Sequence, residues 1–194
     1  MTISRSARAV PRAREGLRFA RGEIATFEAE RPFDLVFSNA ALQWVDGHEA
    51  LWPRLAACLA PGGQLAVQVP VNHDHPSQRV LREVAARPRF ANRLDRQTRP
   101  FPVLAPERYA ELLHGLGFAR QIVRVHVYTH ELPHPRALVE WMKGSAFTPV
   151  RERLPGADYE AFLAEYERRL LAETGERSPY LFTFKRLLMW GRRD

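Results

Sequence analysis

The chain has little of what builds covalent or membrane-bound frameworks. It holds a single cysteine, Cys58, in 194 residues, so no intramolecular disulfide forms and a disulfide scaffold is excluded. Cys58 lies in a helical pattern and reads as a small buried hydrophobe rather than a nucleophile. No apolar run approaches the roughly 18 residues that cross a bilayer. No apolar stretch follows the basic N-terminus as it would in a secretory signal. The expected setting is cytoplasmic, with no membrane partner. Lysine is nearly missing: Lys143 and Lys185 leave 27 of the 29 basic residues to arginine. There is no low-complexity tract, no internal repeat, no P-loop and no nucleophile elbow.

What is present is an ordinary globular composition, 45% hydrophobic and 26% charged, long enough for one domain with a core of its own. The net charge of +7 is uneven. Residues 1–22 carry Arg5, Arg8, Arg12, Arg14, Arg18 and Arg21 against Glu15, a net of +5, and the other 23 bases and 21 acids leave +2. Residues 1–16 therefore read as a basic leader and 17–194 as the folded body. A nucleic-acid arm and a transit peptide are both open for such a leader. The lack of an aromatic platform among the arginines favours a plain surface segment with no nucleic-acid partner.

Periodicity gives an alternating order of elements. Gly16–Phe19 reads as a short strand. Phe33–Ser38 (FDLVFS) reads as a strand buried on both faces, because its apolar run is unbroken but for Asp34. His48–Leu59 reads as a helix, with Leu51, Leu55 and Leu59 four apart and Pro61-Gly62-Gly63 as its stop. Gln64–Val69 is the next strand. Helices are expected at Ser77–Ala86, Glu107–Leu116, Pro135–Gly144 and Asp158–Glu173, and strands at Gln121–Thr129 and Tyr180–Trp190. The order implies an α/β fold with a mostly parallel sheet and helical insertions around 76–117 and 135–175. Such sheets bind ligands beyond the carboxyl ends of their strands, here Ser38-Asn39-Ala40 and Pro70-Val71-Asn72.

The run Phe33-Asp34-Leu35-Val36-Phe37-Ser38-Asn39-Ala40-Ala41-Leu42-Gln43-Trp44 resembles the fourth strand and following loop of class I S-adenosylmethionine-dependent methyltransferases, whose sheet is Rossmann-like with an antiparallel last strand. Leu59–Gln68 (LAPGGQLAVQ) resembles the helix and fifth strand of the same fold. The pairing of S-N-A-x-L-Q-W with A-V-Q-V-P-x-N, followed by Tyr128–Pro133 and Glu140-Trp141, resembles the trans-aconitate 2-methyltransferase family. Methyltransferases acting on malonyl-carrier-protein share the S-N-x-x-x-Q-W loop. Members of the resembled fold open with an acidic-x-Gly-x-Gly-x-Gly loop and a second strand ending in a ribose-binding acid; neither pattern occurs here. The resemblance thus implies an N-terminally truncated methyltransferase domain, weak binding of the cofactor or none, and a bare Phe33–Ser38 edge that either takes up Gly16–Phe19 or self-associates.

By the same resemblance, Glu23 and Ile24 would meet the adenine of S-adenosyl-L-methionine, and Asn39 and Ala40 its methionine part. Gln43, Trp44, Gln68 and Asn72 fall at strand ends or loops facing the acceptor. Arg151 and Arg186 are candidates to grip its carboxylates, since a guanidinium fork suits that task. No residue is assigned as an acid–base catalyst, because a carboxylate acceptor is already ionised at pH 7. His73-Asp74-His75 lacks further ligands at structural-metal spacing, and no metal is expected. The implied function is O-methylation of a small polycarboxylate, trans-aconitate, to its monomethyl ester. The alternatives are the same chemistry on a malonyl-carrier-protein and a non-catalytic remnant of the fold.

Overall fold

The computed structural model describes residues 2–3, 16–95, 101–144 and 146–194. Arg5, Arg8, Arg12, Arg14 and Pro100 lie outside the described residues. The strands are β1 (Thr2–Ile3), β2 (Phe19–Ala20), β3 (Phe33–Asn39), β4 (Leu59–Pro70), β5 (Arg120–Leu132) and β6 (Tyr180–Arg192). The helices are α1 (His48–Ala57), α2 (Pro76–Ala85), α3 (Pro88–Ala91), α4 (Pro106–Gly115), α5 (Ala137–Lys143), α6 (Thr148–Arg153) and α7 (Gly156–Thr174). Short 3₁₀ turns stand at Ile24–Thr26 and Leu42–Trp44.

The main sheet has the order β3-β4-β6-β5. The four strands expected from the apolar runs therefore form one contiguous sheet. β3 and β4 are parallel, with Val36 opposite Leu65 and Asn39 opposite Gln68. β6 runs antiparallel to β4: Val71 N–H donates to Lys185 O at 3.0 Å while Arg193 N–H donates to Gly63 O at 3.1 Å, so one chain ascends as the other descends. This is an α/β fold with a mixed sheet. β1 and β2 form a separate two-stranded parallel pair.

Two local expectations are corrected. The Pro61-Gly62-Gly63 run does not simply end the helix. α1 closes one turn earlier, at Ala57, with Cys58 still in helical backbone, and β4 already begins at Leu59. The β3–β4 register jumps between Phe33 and Leu35, opposite Leu59 and Gln64. Gly62, at φ 71, supplies the left-handed residue this bulge needs, and a Cβ on Gly63 would stand 2.7 Å from Ala60 O. The second correction concerns β3. Among the described residues it is an edge strand, as the resemblance implied, but it is not buried on both faces as its apolar run implied: Leu35 and Phe37 are 52% and 69% exposed. Of the Gly16–Phe19 segment only Phe19 enters a strand, β2, which pairs with β1 rather than with β3. The chain's one Gly-x-Gly spacing, Gly115-Leu116-Gly117, closes α4.

The chain divides into two compact units, the first Met1–Val69, Pro102–Arg124 and Leu187–Asp194, the second Pro70–Phe101 and Val125–Arg186. The first buries Leu42, Trp52, Leu65, Val67, Tyr109, Leu113 and Leu187. The second has its own core, in which Val80, Val84, Leu138, Phe147, Phe162, Tyr166 and Phe182 are nearly or wholly enclosed. α2 and α7 are its scaffold: Tyr166 on α7 donates its hydroxyl to Ser77 O at the start of α2, 3.0 Å away. Burial pushes the Tyr166 phenol well above its ordinary range, so it stays a donor. Cys58 is buried, its Sγ 3.4 Å from Arg54 O, as expected of a small core residue.

Candidate functional site at the carboxyl end of the sheet

In the first unit the chain leaves β3 through a strained turn. Ala40 takes φ 51, a left-handed conformation that costs a residue with a Cβ about 1–2 kcal/mol. Hydrogen bonds hold that turn and the loop after it. Ala40 N–H donates to Gln68 O on β4 at 2.9 Å. Gln43 Nε2–H donates back to Ala40 O at 2.9 Å. Val45 N–H donates to Leu42 O at 2.9 Å, closing the 3₁₀ turn. Asn39, Ala40, Gln43 and Gln68 are thus assembled at the carboxyl ends of two neighbouring parallel strands, where their sequence positions had suggested a site.

The polar atoms here are not all consumed by the fold. Gln43 is 4% exposed, and its Oε1 has no partner among the described residues; the same holds for the buried Ser38 Oγ. A buried acceptor without a donor costs about 1–3 kcal/mol, a cost met when a ligand donates to it. The Asn39 side chain is exposed. Trp44 is 55% exposed and is not a core residue. Glu23 is an exposed, extended residue ahead of the Ile24–Thr26 turn, and Ile24 is half-buried.

Sequence reasoning missed what anchors this loop. His48, at the start of α1, is 2% exposed, and its Nε2 lies 2.9 Å from Leu42 O while its Nδ1 meets the Tyr109 hydroxyl on α4. Tyr109 accepts from Leu104 N–H at 3.1 Å. Trp52 packs beside both rings, with centroids 5.3 Å from His48 and 4.8 Å from Tyr109. Burial lowers the affinity of His48 for a proton and pushes the Tyr109 phenol up to about 12. The only signal in the sequence was a histidine at the N-terminus of an apolar helix, with its partner 61 residues away.

The other sequence-predicted residues fall in the second unit. Asn72 is buried; its Oδ1 accepts from Lys185 N–H at 3.0 Å, and its Nδ2 has no partner among the described residues. His75 caps α2, accepting from Ser77 N–H at 3.2 Å, and burial lowers its proton affinity. Asp74 pairs with Lys185, whose hydrogen bond holds the carboxyl below its ordinary range. Arg186 lies over two aromatic rings, 5.5 Å from the Tyr128 centroid and 5.1 Å from that of Phe184. Stacking of this kind fixes the plane of a guanidinium. An aromatic group of His130, Trp141 and Phe182 stands in the same unit, with centroids 5.0–6.0 Å apart. Arg151, on α6, is exposed. Among the described residues, no group of three histidines, cysteines or carboxylates could hold a metal ion, and no helix is long and apolar enough to cross a membrane.

A mixed α/β sheet with a strained turn and unpaired polar atoms at the ends of its parallel strands defines the class: this is the fold of class I methyltransferases. A protein of Bacillus halodurans C-125 assigned as a methyltransferase superposes with a TM-score of 0.51 at 15% identity, over 90% of this chain and 71% of that one. The family profile of the methyltransferase domain matches residues 2–67. Closer relatives narrow the class. The trans-aconitate 2-methyltransferase of Deinococcus radiodurans is 47% identical over 174 residues, 86% of this chain and 66% of the relative. That of Paracidovorax citrulli is 39% identical over 202 residues, 99% of this chain and 76% of the relative. The chain belongs to the trans-aconitate 2-methyltransferase family. It spans just under two thirds of the length of the Deinococcus relative.

Proposed function

We propose that this chain serves S-adenosylmethionine-dependent O-methylation of trans-aconitate to a monomethyl ester. The observation that carries the reading is the Ser38–Val45 loop of a chain 47% identical to a protein of that name, with the Gln43 acceptor left unpaired inside it. The residues present fit the cofactor. Gln43 Oε1 and Asn39 can accept from an amino group, and the exposed Glu23 carboxylate can accept from the adenine amine. The strained Ala40 turn brings backbone to the strand ends.

When bound, the cofactor supplies an electrophilic methyl group on a sulfonium. The acceptor carboxylate is ionised at pH 7 and needs no base. The protein's work is to place one carboxylate oxygen in line and to exclude water. Within the second unit, Arg186, its plane fixed by Tyr128 and Phe184, and Arg151 carry guanidinium forks of the kind that grip carboxylates, and Asn72 carries an amide donor. Gln68 sets the backbone that the Ala40 turn hangs on. Trp44 offers an exposed ring to cover the acceptor.

Incubation with methyl-labelled cofactor and two acceptors, trans-aconitate and malonyl-carrier-protein, tests the reading. Label is expected in trans-aconitate. Label in the thioester alone transfers the assignment to that acceptor, and label in neither removes the activity from this chain.

A further inference from the structure

The hydrogen bonds around His48 leave no freedom in their direction. A carbonyl only accepts, so the 2.9 Å contact with Leu42 O requires a proton on His48 Nε2. His48 is buried and its burial disfavours the charged ring, so Nδ1 is then bare and must accept. Its neighbour there is the Tyr109 hydroxyl, which therefore donates. The remaining lone pair of that hydroxyl accepts from Leu104 N–H. The chain Leu104 N–H to Tyr109 O–H to His48 Nε2–H to Leu42 O runs one way, from the loop before α4 to the loop after β3.

Its end point is the carbonyl that closes the 3₁₀ turn, since Leu42 O also accepts from Val45 N–H. The turn has no side-chain cap of its own. Leu42 and Gln43 on either side of that carbonyl are buried, while Trp44 projects outward. The contact that reaches this turn from α4 is thus made between residues 61 apart in sequence, and Trp52 packs against both rings of the pair.

We propose that Tyr109 and His48 are positioning residues, a directed hydrogen-bond relay by which α4 sets the geometry of the loop carrying Gln43 and Trp44. They touch no acceptor themselves; their bearing on the reaction rests on the methyltransferase reading above. The relay makes two distinctive demands. His48 must be the neutral Nε2–H tautomer, and removing the Tyr109 hydroxyl must be felt in the Leu42–Val45 turn although the ring that fills the core is kept.

The experiment uses the whole chain labelled with nitrogen-15. Ring correlations of His48 in the wild type are expected to show a protonated Nε2 and a bare Nδ1, a result that needs no variant. Tyr109→Phe is expected to lower the exchange protection of the Val45 amide about tenfold, the loss of roughly one hydrogen bond, with amides in the middle of β4 unchanged. His48→Gln, which keeps an N–H donor for Leu42 O, is expected to restore protection lost in His48→Ala. An Nδ1–H tautomer in the wild type overturns the relay. So does Val45 protection unchanged in both Tyr109→Phe and His48→Ala. In a methyl-transfer assay Tyr109→Phe is expected to raise the acceptor KM more than it lowers kcat. Absence of transfer by the wild type would count against the proposed activity alone, because the tautomer and exchange readouts decide the relay independently.

Discussion

β3 and β4 lie side by side in parallel, and both are rich in valine, leucine and other apolar residues. β4 is flanked by β3 and β6 and buries Leu65, Val67 and Val69 almost completely. β3 has a strand on one side and leaves Leu35 and Phe37 more than half exposed. Burial here is set by the neighbours a strand finds and not by its own composition. The two strands share their carboxyl ends, where the Ala40 N–H to Gln68 O bond ties one to the other. The candidate site is therefore built half on a fixed strand and half on an edge.

The contrast can be broken most forcefully in β4. Leu65→Ala is expected to cost about 2–5 kcal/mol, read as a lowered midpoint in urea unfolding. A cost below about 1 kcal/mol would mean that β4 is not the packed member of the pair.

Acid is expected to act next, through the histidines. His48 and His75 both have proton affinities lowered by burial. The unfolded chain binds protons more readily than the folded one, so their contribution is fully present above the ordinary histidine range near pH 6.5 and is lost as pH falls through their depressed folded values. Thermal midpoints should fall on acidification below about pH 6.5, and less steeply in His48→Gln. Equal slopes in the two proteins would remove His48 from the account.

A smaller effect is expected where β3 ends. Ala40→Gly should stabilise by about 0.5–1 kcal/mol, because glycine takes φ 51 without strain and gives back part of the gain as backbone entropy. Destabilisation would show that the turn is held open by something other than its backbone. The smallest effect on stability belongs to the exposed face. Phe37→Asp should leave stability within about 0.5 kcal/mol, while self-association through this edge, expected from the sequence, predicts a shift toward monomer in sedimentation velocity. Unchanged association would place the contact elsewhere.

Much of this was legible in residues. FDLVFS announced β3 to within one residue, and Pro76 and Pro106 marked the starts of α2 and α4, because proline at the first helical turn has a fixed physical meaning. Asn39 and Ala40 were placed at a strand end by their position after an apolar run, and Gln43 and Gln68 by the resemblance; the structure joins Ala40 to Gln43 and Gln68 by hydrogen bonds and sets Asn39 opposite Gln68. The bare edge of β3 was legible only through the resemblance and not in the run itself, because an apolar run states what a strand can bury and not which neighbours it has. Pro61-Gly62-Gly63 read as a helix stop because the same residues serve turns and bulges alike. The His48–Tyr109 pair was invisible because nothing local links residues 61 apart. Arg186 was visible only as one arginine among 27; Phe184 stands two residues before it on β6, while Tyr128 comes from the pairing of β6 with β5.

The central claim is that the carboxyl ends of β3 and β4 are where this chain meets its ligand. Amide hydrogen exchange with and without S-adenosylmethionine, raised to saturation, tests it most directly. The account predicts protection concentrated in Asn39–Val45, with the exposed edge at Leu35 and Phe37 unaltered. Protection confined to other segments, or none at any concentration, would contradict it.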